Sequence, residues 1–395
     1  MKLQLITVLL VVMASGTWKL SAQATALDSL LWSVEQNNSL LAALRQQSEA
    51  EKAGNRTGLN PENPEMEYQY FWGNRAAGSN RTNYSLSQSF DFPTAYHHKR
   101  KVATAKNQQA ELKYQLERNA LMLEAKLLYI DIVCQRALVA EKNNQLEQMQ
   151  QLTEAIQKSF DKGQASVLDL NTAKLNLLQF RKEVNLFTIE QERLLSELHR
   201  INGNQAIAIT STVLPATNLY ADFEQWYEEV HHRNMELKYW GAETAISRAS
   251  EKLQRSMNLP KLSTGYVAEN MAAEKLQGIM VGISIPLWGN KNTVKQIKAQ
   301  TVAAQAVERD EEIRYYNETQ SHYNRAKQLM LMLEDSKEIF QSANNTQLLK
   351  KAFDLGEISL INYLKELSSY YEIASHIIET EKEYHRTVAV LNQWL

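Results

Sequence analysis

The chain has 395 residues, is 44% hydrophobic and 22% charged, and carries a formal net charge of −2. That balance excludes a basic nucleic-acid-binding surface, and 13 Gly with only 6 Pro speak against a turn-rich all-β protein and for long helices. The one cysteine, Cys134, excludes an intramolecular disulfide; it sits in the apolar stretch IDIVCQ and reads as a small core residue.

The first segment reads as an export signal over residues 1–24: Lys2, then the apolar run Leu3 to Val12, then the small-residue cleavage pattern Ala22-Gln23-Ala24. The run is too short for a membrane-spanning helix, and no other segment approaches ~20 continuous apolar residues. The exported chain is therefore soluble, or enters a membrane as β-strands.

After the signal comes a first repeat, 25–203. It opens with a short helix carrying Trp32, then gives a β-hairpin over 64–92. Glu65 to Trp72 alternates polar and apolar. In the return strand Tyr84, Leu86, Phe90 and Phe92 face one way, and Ser85, Ser87, Ser89 and Asp91 the other. Runs of ~10 residues with period two fit a transmembrane barrel strand. A helix over 94–162 follows, free of Gly and Pro, with a narrow apolar stripe at threes, fours and sevens as in a coiled-coil seam. It ends at FDKGQAS. Gly163 is placed to close the helix in a left-handed turn, and Ser166 to cap the next helix, 166–202, with Asp169 completing a capping box.

Residues 204–221 form a linker. The second repeat, 222–395, runs through the same sequence: short helices with Trp226 and Trp240, a hairpin over 260–288, a helix over 290–355, the tip FDLGEIS with Gly356 and Ser359, and a helix over 359–394. Asn38 matches Asn234, Pro64 matches Pro260, and Gly163 matches Gly356, all at a separation of roughly 195 residues, which marks a duplication. The three tryptophans read as packing residues. Four strands cannot close a barrel, and an open edge is not viable in lipid, so membrane insertion would require several chains.

NPEMEYQYFWG, SQSFDFPT, GISIPLWGNKN and the two F-D-x-G-x-x-S tips, in this order, make the chain resemble the TolC-like outer-membrane efflux channels. NPEME and GISIPLWGNK look most like the cobalt-zinc-cadmium-type heavy-metal branch. The resemblance implies a mainly α fold with a small β portion: a homotrimer pooling twelve strands into an outer-membrane β-barrel and twelve helical segments into a periplasmic α-helical barrel. It implies passive export of small molecules or metal cations. The partners would be a periplasmic adaptor, an inner-membrane pump of the resistance-nodulation-division type and outer-membrane lipid.

Carried onto this sequence, the adaptor-docking tip is Lys162, Gly163, Gln164 and Ser166 with Leu355, Gly356, Glu357 and Ser359. The gate or pore constriction is Asp161, Asp169, Asp354, Asn362 and Lys365. Asn362 and Lys365 stand where relatives often hold paired acids, so an acidic cation filter is in doubt.

Adjacent pairs His97-His98 and His231-His232 are poor chelates, and no catalytic, cofactor or metal motif is present. Asn83-Tyr84-Ser85 lies within an expected strand and reads as a chance glycosylation triplet. The basic cluster His98-Lys99-Arg100-Lys101 after the first hairpin, and Lys291, Lys295 and Lys298 after the second, suit either lipid phosphates or a solvated helix start. A type I protein-secretion channel and a periplasmic coiled-coil adaptor are the alternative readings.

Overall fold

The computed structural model describes residues 26–73, 80–271, 274–288, 290–343 and 345–395. The expected signal peptide lies outside the described residues. Helix α1 covers 26–37. It is followed by α2 (Ser39–Gly54), β1 (Glu65–Phe71), β2 (Arg81–Phe90), α3 (Pro93–Asp161), α4 (Val167–Ile201), α5 (Phe223–His231), α6 (Met235–Met257), β3 (Lys261–Asn270), β4 (Lys275–Ser284), α7 (Thr293–Ser342), α8 (Thr346–Asp354) and α9 (Leu360–Leu391). The order helix, helix, strand, strand, long helix, return helix thus occurs twice.

Two boundaries differ from the sequence reading. The helix expected unbroken over 290–355 stops at Ser342 and resumes at Thr346. The ladder persists to Ala343 N–H on the Ile339 carbonyl, 2.8 Å, and restarts with Leu349 N–H on the Asn345 carbonyl, 2.8 Å. Asn and Thr are among the weaker helix formers, so the helix is least supported at Asn345-Thr346, where Asn345 starts α8 without a side-chain cap. The hairpin expected to reach 288 ends at Ser284, because Pro286 has no N–H to give a ladder.

The chain forms two compact units: Ala42–Glu117 with Asn234–Tyr316, and the residues up to Leu41 with Arg118–Arg233 and Asn317–Leu395. Each draws on both repeats.

The first unit holds one antiparallel sheet, ordered β1-β2-β3-β4. Its central pairing, β2 with β3, joins the two repeats: Leu86 faces Tyr266 and Phe90 faces Leu262. The registers line up Met66, Leu86, Tyr266 and Ile279 as one row across all four strands. A residue along, Glu67, Ser85, Val267 and Gly278 form a row of the opposite face. At the foot of β2, Asp91 takes Lys99 at 2.8 Å and Lys261 at 3.3 Å. Burial pushes its carboxyl up, but the two ammonium groups outweigh burial and hold it below the usual range.

The second unit is helical. Its core includes Leu30, Val34, Tyr129, Ile132, Val133, Leu198, Trp226 and Val388. Cys134 is buried within it, its thiol pushed up to about 12 by burial, which makes it a packing residue rather than a nucleophile. Asn38, one of the repeated landmarks, caps α2 by accepting from Leu41 N–H at 2.9 Å and ties it to the Ile201 carbonyl at 2.7 Å. In the sheet unit its counterpart Asn234 caps α6, accepting from Glu236 and Leu237 N–H at 2.7 and 3.2 Å. Trp226 packs as expected and donates to Asn392. Trp32 does not: it is 67% exposed, so its place on α1 is an outward one within this chain.

Candidate functional site

Both tips lie in the helical unit and are built alike. Gly163 N–H donates to the Phe160 carbonyl and Gln164 N–H to the Ser159 carbonyl, each at 2.8 Å. Gly356 N–H donates to the Phe353 carbonyl and Glu357 N–H to the Ala352 carbonyl, each at 2.9 Å. This is the double closure of a Schellman motif. It needs a left-handed residue, and Gly163 and Gly356 have φ of +72° and +73°. A Cβ on either would meet open space, so conformation rather than crowding selects glycine here.

The next helices start from serine caps that differ. Ser166 Oγ accepts from Asp169 N–H at 3.1 Å, and Asp169 Oδ2 accepts from Ser166 N–H at 3.3 Å and from its hydroxyl at 2.6 Å. The expected capping box is present. Ser359 Oγ accepts from Asn362 N–H at 3.3 Å, and α9 has no such box.

All eight residues assigned to docking, Lys162, Gly163, Gln164, Ser166, Leu355, Gly356, Glu357 and Ser359, are exposed. The five residues expected to form the gate bond within their own tip. Gln157 donates to Asp161 at 2.9 Å, and Lys350 meets Asp354 at 2.7 Å. Asp169 and Asn362 serve the caps, and Lys365 offers its carbonyl to Ser369. Among the described residues none of the five bonds to the other tip.

Apolar packing brings the tips together instead. Met149, Ile156, Leu170 and Ala173 of the first hairpin form one cluster with Leu360, Tyr363, Leu364, Leu367 and Tyr371 of the second. Phe353 stacks on Tyr363 with ring centroids 4.8 Å apart. The Tyr371 hydroxyl reaches Gln148 Oε1 at 2.5 Å, and burial pushes its ionisation up. Sequence reasoning missed this cluster, though the spacing of Leu360, Tyr363, Leu364, Leu367 and Tyr371 signals it.

In the sheet unit, the apolar face is open. Met66 is 77% exposed, Ile279 82% and Val281 76%. Tyr68 and Tyr84 lie across from one another on it, centroids 5.1 Å apart. The other face carries Glu65, Glu67, Ser85, Ser87, Gly265, Gly278 and Gly282. Strands β2, β3 and β4 each have 10 residues, and β1 and β4 are the free edges of the sheet. No described helix is long and apolar enough to cross a membrane. Among the described residues there is no cluster of metal-ligating side chains. His97 and His98, like His231 and His232, contact each other edge to face.

The sequence matches no protein-family profile and no curated protein. Solved structures do match. CusC, described for its folding and transmembrane channel formation, superposes with a TM-score of 0.80 over 94% of this chain and 92% of its own, at 14% identity. The CmeC outer membrane channel of Campylobacter jejuni gives 0.77 over 93% and 85%, at 15% identity. The outer membrane protein VceC of Vibrio cholerae gives 0.77 over 93% and 95%, at 10% identity. The chain has the fold of these outer-membrane proteins. The mainly helical fold with duplicated hairpins is the one the sequence implied.

Proposed function

We propose that the chain is the outer-membrane channel of a tripartite efflux system: a homotrimer whose pooled strands line a pore and whose helical hairpins continue it into the periplasm. The carrying observation is the sheet. Three of its four strands have the 10 residues of a membrane-spanning strand, the row Met66, Leu86, Tyr266 and Ile279 makes one face apolar, and two edges are unpaired among the described residues, which is viable in lipid only when further copies close the ring. The fold likeness supports the same reading. The protein is then a conduit without chemistry of its own. An inner-membrane pump, of the resistance-nodulation-division type by resemblance, supplies direction and energy through a periplasmic adaptor.

The exposed Schellman turns at Gly163 and Gly356, with Lys162, Gln164, Ser166, Leu355, Glu357 and Ser359, are the proposed adaptor contact. Asp161, Asp169, Asp354, Asn362 and Lys365 are the proposed gate. NPEME and GISIPLWGNK support the cobalt-zinc-cadmium-type branch and hence metal cations as cargo.

The test is extraction and sizing. The protein is expected in the outer-membrane fraction, to need detergent, and to run as three copies. A detergent-free compact monomer would overturn the reading. Loss of the gene is expected to sensitise cells to zinc or cobalt; unchanged tolerance to metals with raised drug sensitivity would move the cargo to organic molecules. For the gate, D161A and D354A channels in planar bilayers are expected to conduct more than wild type at rest; unchanged conductance would take these residues out of the gate.

A further inference from the structure

The foot of the second hairpin carries a feature that passive conduction does not use. After β4 the chain turns through Ile285, Pro286, Leu287 and Trp288 into α7. This turn borders an open, shallow pocket of about 540 Å³ lined by Asn258, Leu287, Asn290, Lys291, Lys295 and Lys298, among others. The turn is fastened to α6: Asn290 Nδ2 donates to the Met257 carbonyl at 2.9 Å, and Gln254 Nε2 to Thr293 Oγ1 at 2.9 Å.

We propose that this pocket seats the headgroup of an anionic phospholipid. The proposal rests on the channel reading above. Three observations carry it. First, none of the ammonium groups of Lys291, Lys295 and Lys298 has a carboxylate within ion-pair distance among the described residues, whereas Lys99 and Lys261 at the foot of β2 share Asp91.

Second, the charges oppose their own helix. Cations at a helix start face the positive end of its dipole. Yet Lys295 stands in the first turn of α7, which holds no acid, and no Asp or Glu occurs before Glu308. The start of α3 also has no acid before Glu111, but its first lysine, Lys99, lies beyond the first turn and is paired with Asp91. A lysine set against the dipole at the start of α7, with no carboxylate to offset it, points to an external anion.

Third, apolar side chains sit beside the charges. Ile285, Leu287 and Trp288 are 61%, 66% and 80% exposed. A tryptophan and aliphatic side chains next to unpaired lysines fit acyl chains on one side and a phosphate on the other. Charge complementarity therefore commits the occupant to a lipid with net negative charge.

The experiment is a native mass-spectrometric titration of the detergent-solubilised channel with phosphatidylglycerol and, separately, phosphatidylcholine of the same chains. A lysine facing an anionic surface is worth about fivefold in binding. Wild type is expected to take phosphatidylglycerol in clear preference, and Lys291→Gln/Lys295→Gln/Lys298→Gln to lose on the order of 100-fold. The matching triple Arg variant should retain the preference, which guards against mere misfolding. Equal uptake of both lipids by wild type, or undiminished preference in the Gln variant, overturns the proposal while leaving the channel standing. A protein that never enters the micelle overturns both.

Discussion

The two hairpins follow the same order of elements and differ where they leave the tip. In the first, α3 is continuous for 69 residues, and Ser166 and Asp169 bond each other reciprocally. In the second, the ascending helix is interrupted between α7 and α8, and Ser359 caps alone. The second tip is stiffened by aromatics instead. Phe353 stacks on Tyr363, where the first copy has the exposed Phe160 and the buried but non-aromatic Leu170. Phe340 stacks on Tyr370, centroids 4.4 Å apart, beside a groove of about 410 Å³ at the helix break. One copy is thus held by backbone continuity and caps, the other by side-chain packing across a discontinuity.

Substitutions in matched pairs break or sharpen this contrast. The largest effect is expected where the first return helix ends. Gly203 has φ +61°, and a Cβ there would stand 2.2 Å from the Asn37 carbonyl oxygen. Gly203→Ala combines a strained backbone with a backbone clash and should cost about 2–5 kcal/mol. Gln393→Ala, just past the end of the second return helix, should be near neutral. Thermal unfolding in detergent measures both, and equal shifts would show that the copies end alike.

Next comes the aromatic stack. Phe353→Ala should cost about 3 kcal/mol, and Phe160→Ala, 36% exposed, about half that. Equal costs would mean that the stack contributes nothing beyond burial. Third, Ser166→Ala should cost about 1–2 kcal/mol and Ser359→Ala about half as much. Hydrogen exchange at the first turns of α4 and α9 reports the difference directly.

The smallest effect belongs to the sheet. The Asp91 carboxyl is held below its ordinary value, so its contribution is complete above the unfolded-state value near ~3.9 and is lost as pH falls through the folded one. Acid unfolding of wild type should steepen below about pH 4, and Asp91→Asn should flatten that slope. An unchanged slope would detach Asp91 from acid stability.

Much of this was legible in the sequence because its determinants are local. The Gly-x-x-Ser tips, the capping box and the alternation in the strands each involve a few neighbouring residues. The break after Ser342 was also written locally, in Asn344-Asn345-Thr346, but absence of Gly and Pro alone does not guarantee a helix. Asn38 and Asn234 were visible as repeats, yet their work as caps depends on the fold of the chain around them. The pairing of β2 with β3 had no local sign, and for the cluster joining the tips the helical spacing of Leu360, Tyr363, Leu364, Leu367 and Tyr371 marks an apolar face but not its partner, since both features bring together residues nearly half a chain apart. The gate residues show the same limit. Their charges are legible, but within one chain each bonds to its own tip.

The Leu86–Tyr266 pairing also sets a timetable. Strand β2 leaves the ribosome ~180 residues ahead of its partner, a delay of roughly 10–40 s at 5–20 residues per second. During that interval the strand that will pair with Tyr84, Leu86 and Phe90 does not yet exist, and their oily side chains stay uncovered. A newborn polypeptide in that condition needs an escort to keep it from sticking to its siblings before the second half arrives.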